Sequence, residues 1–166
     1  MNEAVPGRDL RNPAPRSAQE LEKRTYVRVF PVRGIGDVIV VRKQAQRLAQ
    51  EFGLGIRRST ELAIVVSELA TNIVKYGVRG EIDLILDSGS EPRPEFTVVA
   101  RDIGPPIRNL EMAMLDGHDD VGPIDPAVFL GRGGLGTGLG AVARLTDRFE
   151  CQQDDSGKAI TVKFFR

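Results

Sequence analysis

Residues 67–77 read SELATNIVKYG, and their spacing decides how the chain is built around them. Leu69, Ile73 and Tyr76 continue an apolar series begun at Leu62 and Val65, spaced by three or four residues. The stretch is therefore the end of an amphipathic helix running roughly from Arg57 to Tyr76, with Gly77 as its stop. Glu68 and Asn72 stand four residues apart in it, so they share one face, a turn from each other, at the border of the apolar stripe. Such a carboxylate and carboxamide are either a partly solvated helix pair or a preorganised polar site. Oxygen ligands of this kind suit Mg²⁺, which takes one or two protein contacts and completes its shell with water and substrate phosphates. Lys75, one turn beyond Asn72, reads as a solvated lysine at the helix end.

Ahead of this helix, TYVRVFPV begins at Thr25, alternates Val27 and Val29 with Arg28, and reads as a strand. Asp37 is placed to cap a first helix whose apolar positions Val38, Val41, Ala45, Leu48, Ala49 and Phe52 recur with a period near that of an α-helix, with Gly53 as the stop. Residues 1–24 hold Pro6, Pro13 and Pro15 among charges and few large apolar side chains, the composition of a disordered extension. The folded domain is expected over residues 25–166.

After Gly77, EIDLIL and EFTVVARD read as two strands joined by the turn-rich DSGSEPRP. Asp102 ends the second, where a strand delivers a side chain to a rim, and Gly104 turns the chain. Aspartate before Gly-Pro is ordinary turn chemistry. A carboxylate there can equally accept a hydrogen bond from an exocyclic amine such as that of adenine, a contact that rejects analogues lacking the amine. A polar, proline-broken stretch with a short helix around 110–115 follows. Residues 131–142 then read GRGGLGTGLGAV, six glycines in twelve positions, running into ARLTDRFE, which reads as helix. Each glycine inside a regular element costs about 0.5–1 kcal/mol against alanine, so the run marks a sharp bend, a close approach or a flexible surface loop. A glycine-rich lead-in to a helix N-terminus makes an anion cradle. RFECQQ and AITVKFF complete the chain as strands.

The order is strand, two helices, two strands, loop, helix, two strands. That grouping implies an α+β two-layer sandwich, with helices covering one face of a mixed, mostly antiparallel sheet. The chain has 166 residues, 41% hydrophobic and 28% charged, as expected of one soluble globular domain. Its 23 basic and 23 acidic residues cancel, so no global field favours nucleic acid or an anionic membrane, and an anionic ligand must be held locally. A single cysteine, Cys151, excludes an internal disulfide, and with a single histidine, His118, it makes a His/Cys metal cage implausible. With no signal-like or membrane-spanning apolar run, the chain reads as cytoplasmic. No P-loop motif is present, and GTGLGA satisfies a dinucleotide pattern without the strand that should precede it.

Three pieces, E-x-x-x-N on a helix, D-x-G-x-x-I after a strand and G-x-G-x-G before a helix, occur in the order and spacing of the GHKL ATP-binding proteins, and the chain resembles that Bergerat-fold family over roughly residues 25–166. Within it, VSELATNIVKYG and GGLGTGLGAVARLTDRF look most like the small bacterial serine kinases of the RsbT and anti-sigma-factor (RsbW, SpoIIAB) type, nearest the RsbT switch kinases. The resemblance implies ATP and Mg²⁺ as cofactors, Glu68 as the residue that polarises the attacking hydroxyl and Asn72 as the Mg²⁺ ligand. It makes Asp102 the adenine contact, with Gly104 and Ile107 beside it, and matches Gly134, Gly136, Gly138 and Gly140 to the phosphate-binding glycine box. The residues between about Asp116 and Arg132 correspond to an ATP lid.

The implied function is a protein serine/threonine kinase acting on a STAS-domain partner and, by partner switching, on a PP2C-type phosphatase. The alternative is a non-catalytic, nucleotide-gated anti-sigma factor or partner-binding module that sequesters a partner, a sigma factor among the candidates. A two-component histidine kinase fits poorly, because His118 lies in the lid and no long dimerisation helix is read ahead of the domain. Two features depart from the family pattern. Pro106 replaces a usual glycine and removes an N–H from the base pocket, and the lid carries Asp119, Asp120 and Asp125, which would repel phosphate if they faced inward.

Overall fold

The computed structural model describes residues 25–124 and 138–166. Its elements, in chain order, are β1 (Thr25–Val32), α1 (Ile35–Phe52), α2 (Gly55–Tyr76), β2 (Gly80–Asp87), β3 (Glu95–Asp102), α3 (Leu110–Ala113), α4 (Gly138–Leu145), β4 (Arg148–Asp154) and β5 (Gly157–Phe165). The extension expected over residues 1–24 lies outside the described residues.

The five strands form one sheet in the order β1-β2-β3-β5-β4. Every neighbouring pair is antiparallel, so the mostly antiparallel sheet expected from sequence contains no parallel pair among the described residues. Alternation along each strand sorts the two faces. Ile82, Leu84 and Leu86 of β2, Phe96, Val98 and Ala100 of β3, and Ile160, Val162 and Phe164 of β5 turn toward the helices and are buried. Asp83, Glu95, Arg101 and Lys163 fall on the other face, where Arg101 pairs with Asp83 and Lys163 with Glu95. In β1 the buried set is Tyr26, Phe30 and Val32, which puts Val27 and Val29 on that opposite face.

α2 is the centre of the helical layer, packed on the sheet, on α1 and on α4. Its buried set, including Leu62, Val65, Val66, Leu69 and Ile73, is wider than a single stripe for that reason. Truncating one of these leucines to alanine costs about 2–5 kcal/mol by lost burial and cavity formation. Phe52 closes α1 onto the sheet, its ring edge-on to Phe96 at a centroid distance of 6.0 Å.

The helix ends refine the sequence reading. Gly53 stops α1 in the left-handed conformation, φ 90°, which glycine adopts without steric cost. Asp37 does not cap α1; Gly34 holds that position, and Asp37 sits in the first turn, where its carboxylate accepts from the Arg33 N–H at 2.8 Å. An acid there complements the helix dipole. The helix expected over ARLTDRFE stops at Leu145. Arg58 ends it, donating to the Leu145 carbonyl at 3.0 Å and to Asp147 at 2.6 Å, while Asp147 also accepts from the Phe165 N–H. Those bonds turn the chain into β4.

One register row crosses the whole sheet at its end. Val32 pairs with Gly80, Gly80 with Asp102, Asp102 with Lys158, and Lys158 with Gln153. This row carries the fold into the site.

Candidate active site

Asp102 is the last residue of β3, and alternation places its side chain on the helix-facing side, below the C-terminal end of α2. Its room comes from four glycines. A Cβ on Gly77 or Gly80 would come within 3.1 or 3.0 Å of the Asp102 Cβ, one on Gly104 within 2.8 Å of its Oδ1, and one on Gly157 within 2.3 Å of its carbonyl oxygen. The carboxylate is 8% exposed as a residue and is not bare: Oδ1 accepts from the Gly104 N–H at 2.8 Å and from the Lys158 ammonium at 2.7 Å. Lys158 also donates to the Pro105 carbonyl at 3.0 Å. A buried charge of this kind is held by its partner, and removing either member alone leaves the other uncompensated.

Gly104 ties this loop to α2. A Cβ at Gly104 would meet the Tyr76 carbonyl at 2.5 Å, so the helix carrying Glu68 and Asn72 ends directly against the turn that follows Asp102. Glu68 is buried, 6% exposed, and Asn72 is half-buried one turn later on the same helix. The structure thus shields the carboxylate and leaves the carboxamide reachable. Lys75 is exposed in the last turn of α2. Among the described residues no group of three or more His, Cys, Asp or Glu is gathered as a metal cage.

Ile107 is half-buried, and Gln153 of the end row clamps its backbone, accepting from its N–H and donating to its carbonyl, both at 2.9 Å. Further along, Asn109 caps α3 by accepting from the Met112 N–H. Two of the three acidic residues of the expected lid, Asp119 and Asp120, accept from backbone donors. Asp119 accepts from the N–H groups of Val121 and Gly122, and Asp120 accepts from Arg108 at 2.8 Å. Asp116 pairs with Arg144 of α4 at 2.7 Å. Asp125, Gly134 and Gly136 lie outside the described residues. Gly138 opens α4 with φ 56°, and Gly140 lies buried in its first turn against the Met114 carbonyl.

Two titrating groups border the end row. Burial pushes the Cys151 thiol up, partly offset by the charge of Lys158, so it is poorly ionised near neutrality. The Ser156 hydroxyl and backbone N–H hold Asp154 below the usual carboxylate range, in the turn that delivers Lys158. An open cleft at this end of the sheet is lined by Arg33, Val78, Arg79 and Ile103 as well as Asp102 and Lys158, but not by Glu68 or Asn72.

The family model of the histidine kinase-like ATPase domain matches residues 35–164. The chain belongs to the histidine kinase-like ATPase domain family. It is also similar to the serine/threonine-protein kinase RsbT of Bacillus subtilis (strain 168), 32% identical over 115 residues, which cover 68% of this chain and 76% of that protein. Membership makes this an ATP-binding fold of the GHKL type, as the three sequence pieces imply. Within this ATPase domain the structure brings Asp102, Gly104 and the end of α2 into contact, and gives Gly140 a packing neighbour.

Sequence reading missed three parts of this candidate site. Lys158, Gln153 and the glycines at 77, 80 and 157 belong to it only through strand register and close approach. The pairings Asp102↔Lys158 and Lys158↔Gln153 follow from which strands neighbour each other, and no local pattern in GKAITVKFF states that. No helix among the described residues is long and apolar enough to cross a membrane.

Proposed function

We propose that this chain is a Mg²⁺- and ATP-dependent protein serine/threonine kinase that phosphorylates a STAS-domain partner and, by exchanging partners, engages a PP2C-type phosphatase. The observation that carries this reading is the pairing on α2 of a buried Glu68 with a reachable Asn72, on a helix whose end abuts the Asp102 turn. The likeness to a protein named as a serine/threonine kinase supports the reaction class.

The residues fit a magnesium nucleotide. A single carboxamide oxygen, with phosphates and water, makes an ordinary Mg²⁺ shell, and Asp102 is a buried acceptor in a pocket that glycines keep open. The nucleotide, when bound, supplies the phosphoryl group. Glu68 would polarise the attacking hydroxyl and take its proton, Asn72 would hold the metal, and Asp102 with Gly104 and Ile107 would receive the base. By the family resemblance, Gly134, Gly136, Gly138 and Gly140 would supply the phosphate-binding backbone. Burial of Glu68 limits the competition of bulk water for the bound hydroxyl.

Transfer of labelled phosphate to a purified STAS-domain protein tests the reading. Replacing Glu68 by glutamine is expected to lower transfer by roughly 100- to 10,000-fold, the usual worth of a positioned general base, with nucleotide binding largely spared. Unchanged transfer in Glu68→Gln would contradict the assignment.

A second reading is a nucleotide-gated module that sequesters a sigma factor. What favours it is the Pro105-Pro106 turn, together with the ammonium already seated on Asp102. Capture of a sigma factor, with no phosphate transfer to STAS proteins, would support that reading over the kinase.

A further inference from the structure

We propose that Lys158 is a second base-reading residue, which donates a hydrogen bond to the purine ring nitrogen beside the exocyclic amine that Asp102 accepts. The inference rests on the nucleotide reading above and adds to it a residue from the last strand of the sheet. An ammonium has three N–H donors. Two of them are used here, one on Asp102 Oδ1 and one on the Pro105 carbonyl, and among the described residues no partner takes the third. The Lys158 side chain is 7% exposed and lines the cleft beside Asp102, so that third donor has little access to bulk water. A buried donor left unmade is costly, and a ligand acceptor would satisfy it.

The surroundings say which acceptor. The turn after Asp102 runs through Pro105 and Pro106, which have no backbone N–H, so this part of the loop has no donors of its own to offer a base. Lys158 reaches beneath that turn to the Pro105 carbonyl and provides the donor the prolines lack. Both donors that bind Asp102 converge on Oδ1, and neither uses Oδ2. The pair thus presents an acceptor, Oδ2, next to a donor, the third N–H of Lys158. Adenine offers the complement along one edge, an amine donor beside the N1 acceptor. Guanine presents the two reversed.

Calorimetric titration with ATP, 1-deaza-ATP and GTP tests this on the wild-type protein and on Lys158→Met. 1-Deaza-ATP keeps the amine and lacks the ring nitrogen. The wild type is expected to bind ATP roughly 10- to 100-fold more tightly than 1-deaza-ATP, the range for one hydrogen bond to a charged donor, and to bind GTP more weakly still. In Lys158→Met, ATP affinity is expected to fall to that of 1-deaza-ATP, erasing the discrimination. Equal wild-type affinities for ATP and 1-deaza-ATP would overturn the proposal, and this arm needs no variant. Tighter binding of GTP than of ATP would also overturn it. Discrimination that persists in Lys158→Met would overturn it too, by showing that Lys158 only positions Asp102. Absence of any nucleotide binding to the wild type would overturn the nucleotide reading itself, and this inference with it.

Discussion

Gly140 lies against the carbonyl of Met114 so closely that a Cβ there would stand 2.2 Å from its oxygen. The helix after the glycine run is therefore fixed by contact with the end of α3. Replacing Gly140 by alanine must push α4 off that carbonyl. Overpacking of this kind costs about 1–3 kcal/mol, and thermal unfolding should show a midpoint lowered by several degrees. An unchanged midpoint would mean the two segments are not in contact.

Gly138 makes a contrasting case. It has φ 56°, and a Cβ added there would meet nothing within 4 Å among the described residues, so alanine is expected to incur mainly the backbone penalty of the left-handed region. That penalty is about 1–2 kcal/mol. Restoring stability with asparagine, which tolerates this conformation better, would separate strain from packing.

Gln153 holds Ile107 at both its N–H and its carbonyl. Gln153→Ala removes both bonds without touching Asp102. Hydrogen exchange at the Ile107 amide should accelerate by about fivefold, corresponding to a hydrogen bond worth roughly 1 kcal/mol, while amides in the centre of β3 stay protected.

Glu61 links stability to pH. Burial raises its pKa, but hydrogen bonds and charge from Arg58 and Arg57 outweigh burial and leave it below the ordinary value of 4.5. A carboxyl depressed in the folded state contributes its stabilisation fully above the unfolded value and loses it as pH falls through the folded one. Denaturant midpoints should therefore be insensitive to Glu61→Gln at pH below the folded pKa and show the largest difference above about pH 4.5. Arg57 is 90% exposed, so most of the effect should follow Arg58, and Arg57→Ala should change little.

The elements were legible because each carries its own period. The α2 stripe from Leu62 to Tyr76, the alternation in EFTVVARD and the stop at Gly53 all follow from residues a few positions apart. That Glu68 and Asn72 stand a turn apart on one helix was legible for the same reason. Asp37 misled because a residue that favours caps also suits the first turn, and Gly34 took the cap. The rest of the site is not local. Asp102 meets Lys158 only when β5 pairs beside β3, and its four glycine neighbours come from the end of α2 and the starts of β2, the post-β3 turn and β5. The charges of Asp119 and Asp120 read as a threat to phosphate, yet both carboxylates are engaged by backbone N–H groups of nearby turns.

The most direct test of the central claim is titration of ATP into the wild-type protein and into Asn72→Ala, each with and without Mg²⁺. If α2 carries the metal site, wild-type binding requires Mg²⁺ and is weakened in the variant, which then gains little from the metal. Binding that ignores Mg²⁺, or that is identical in Asn72→Ala, would contradict it.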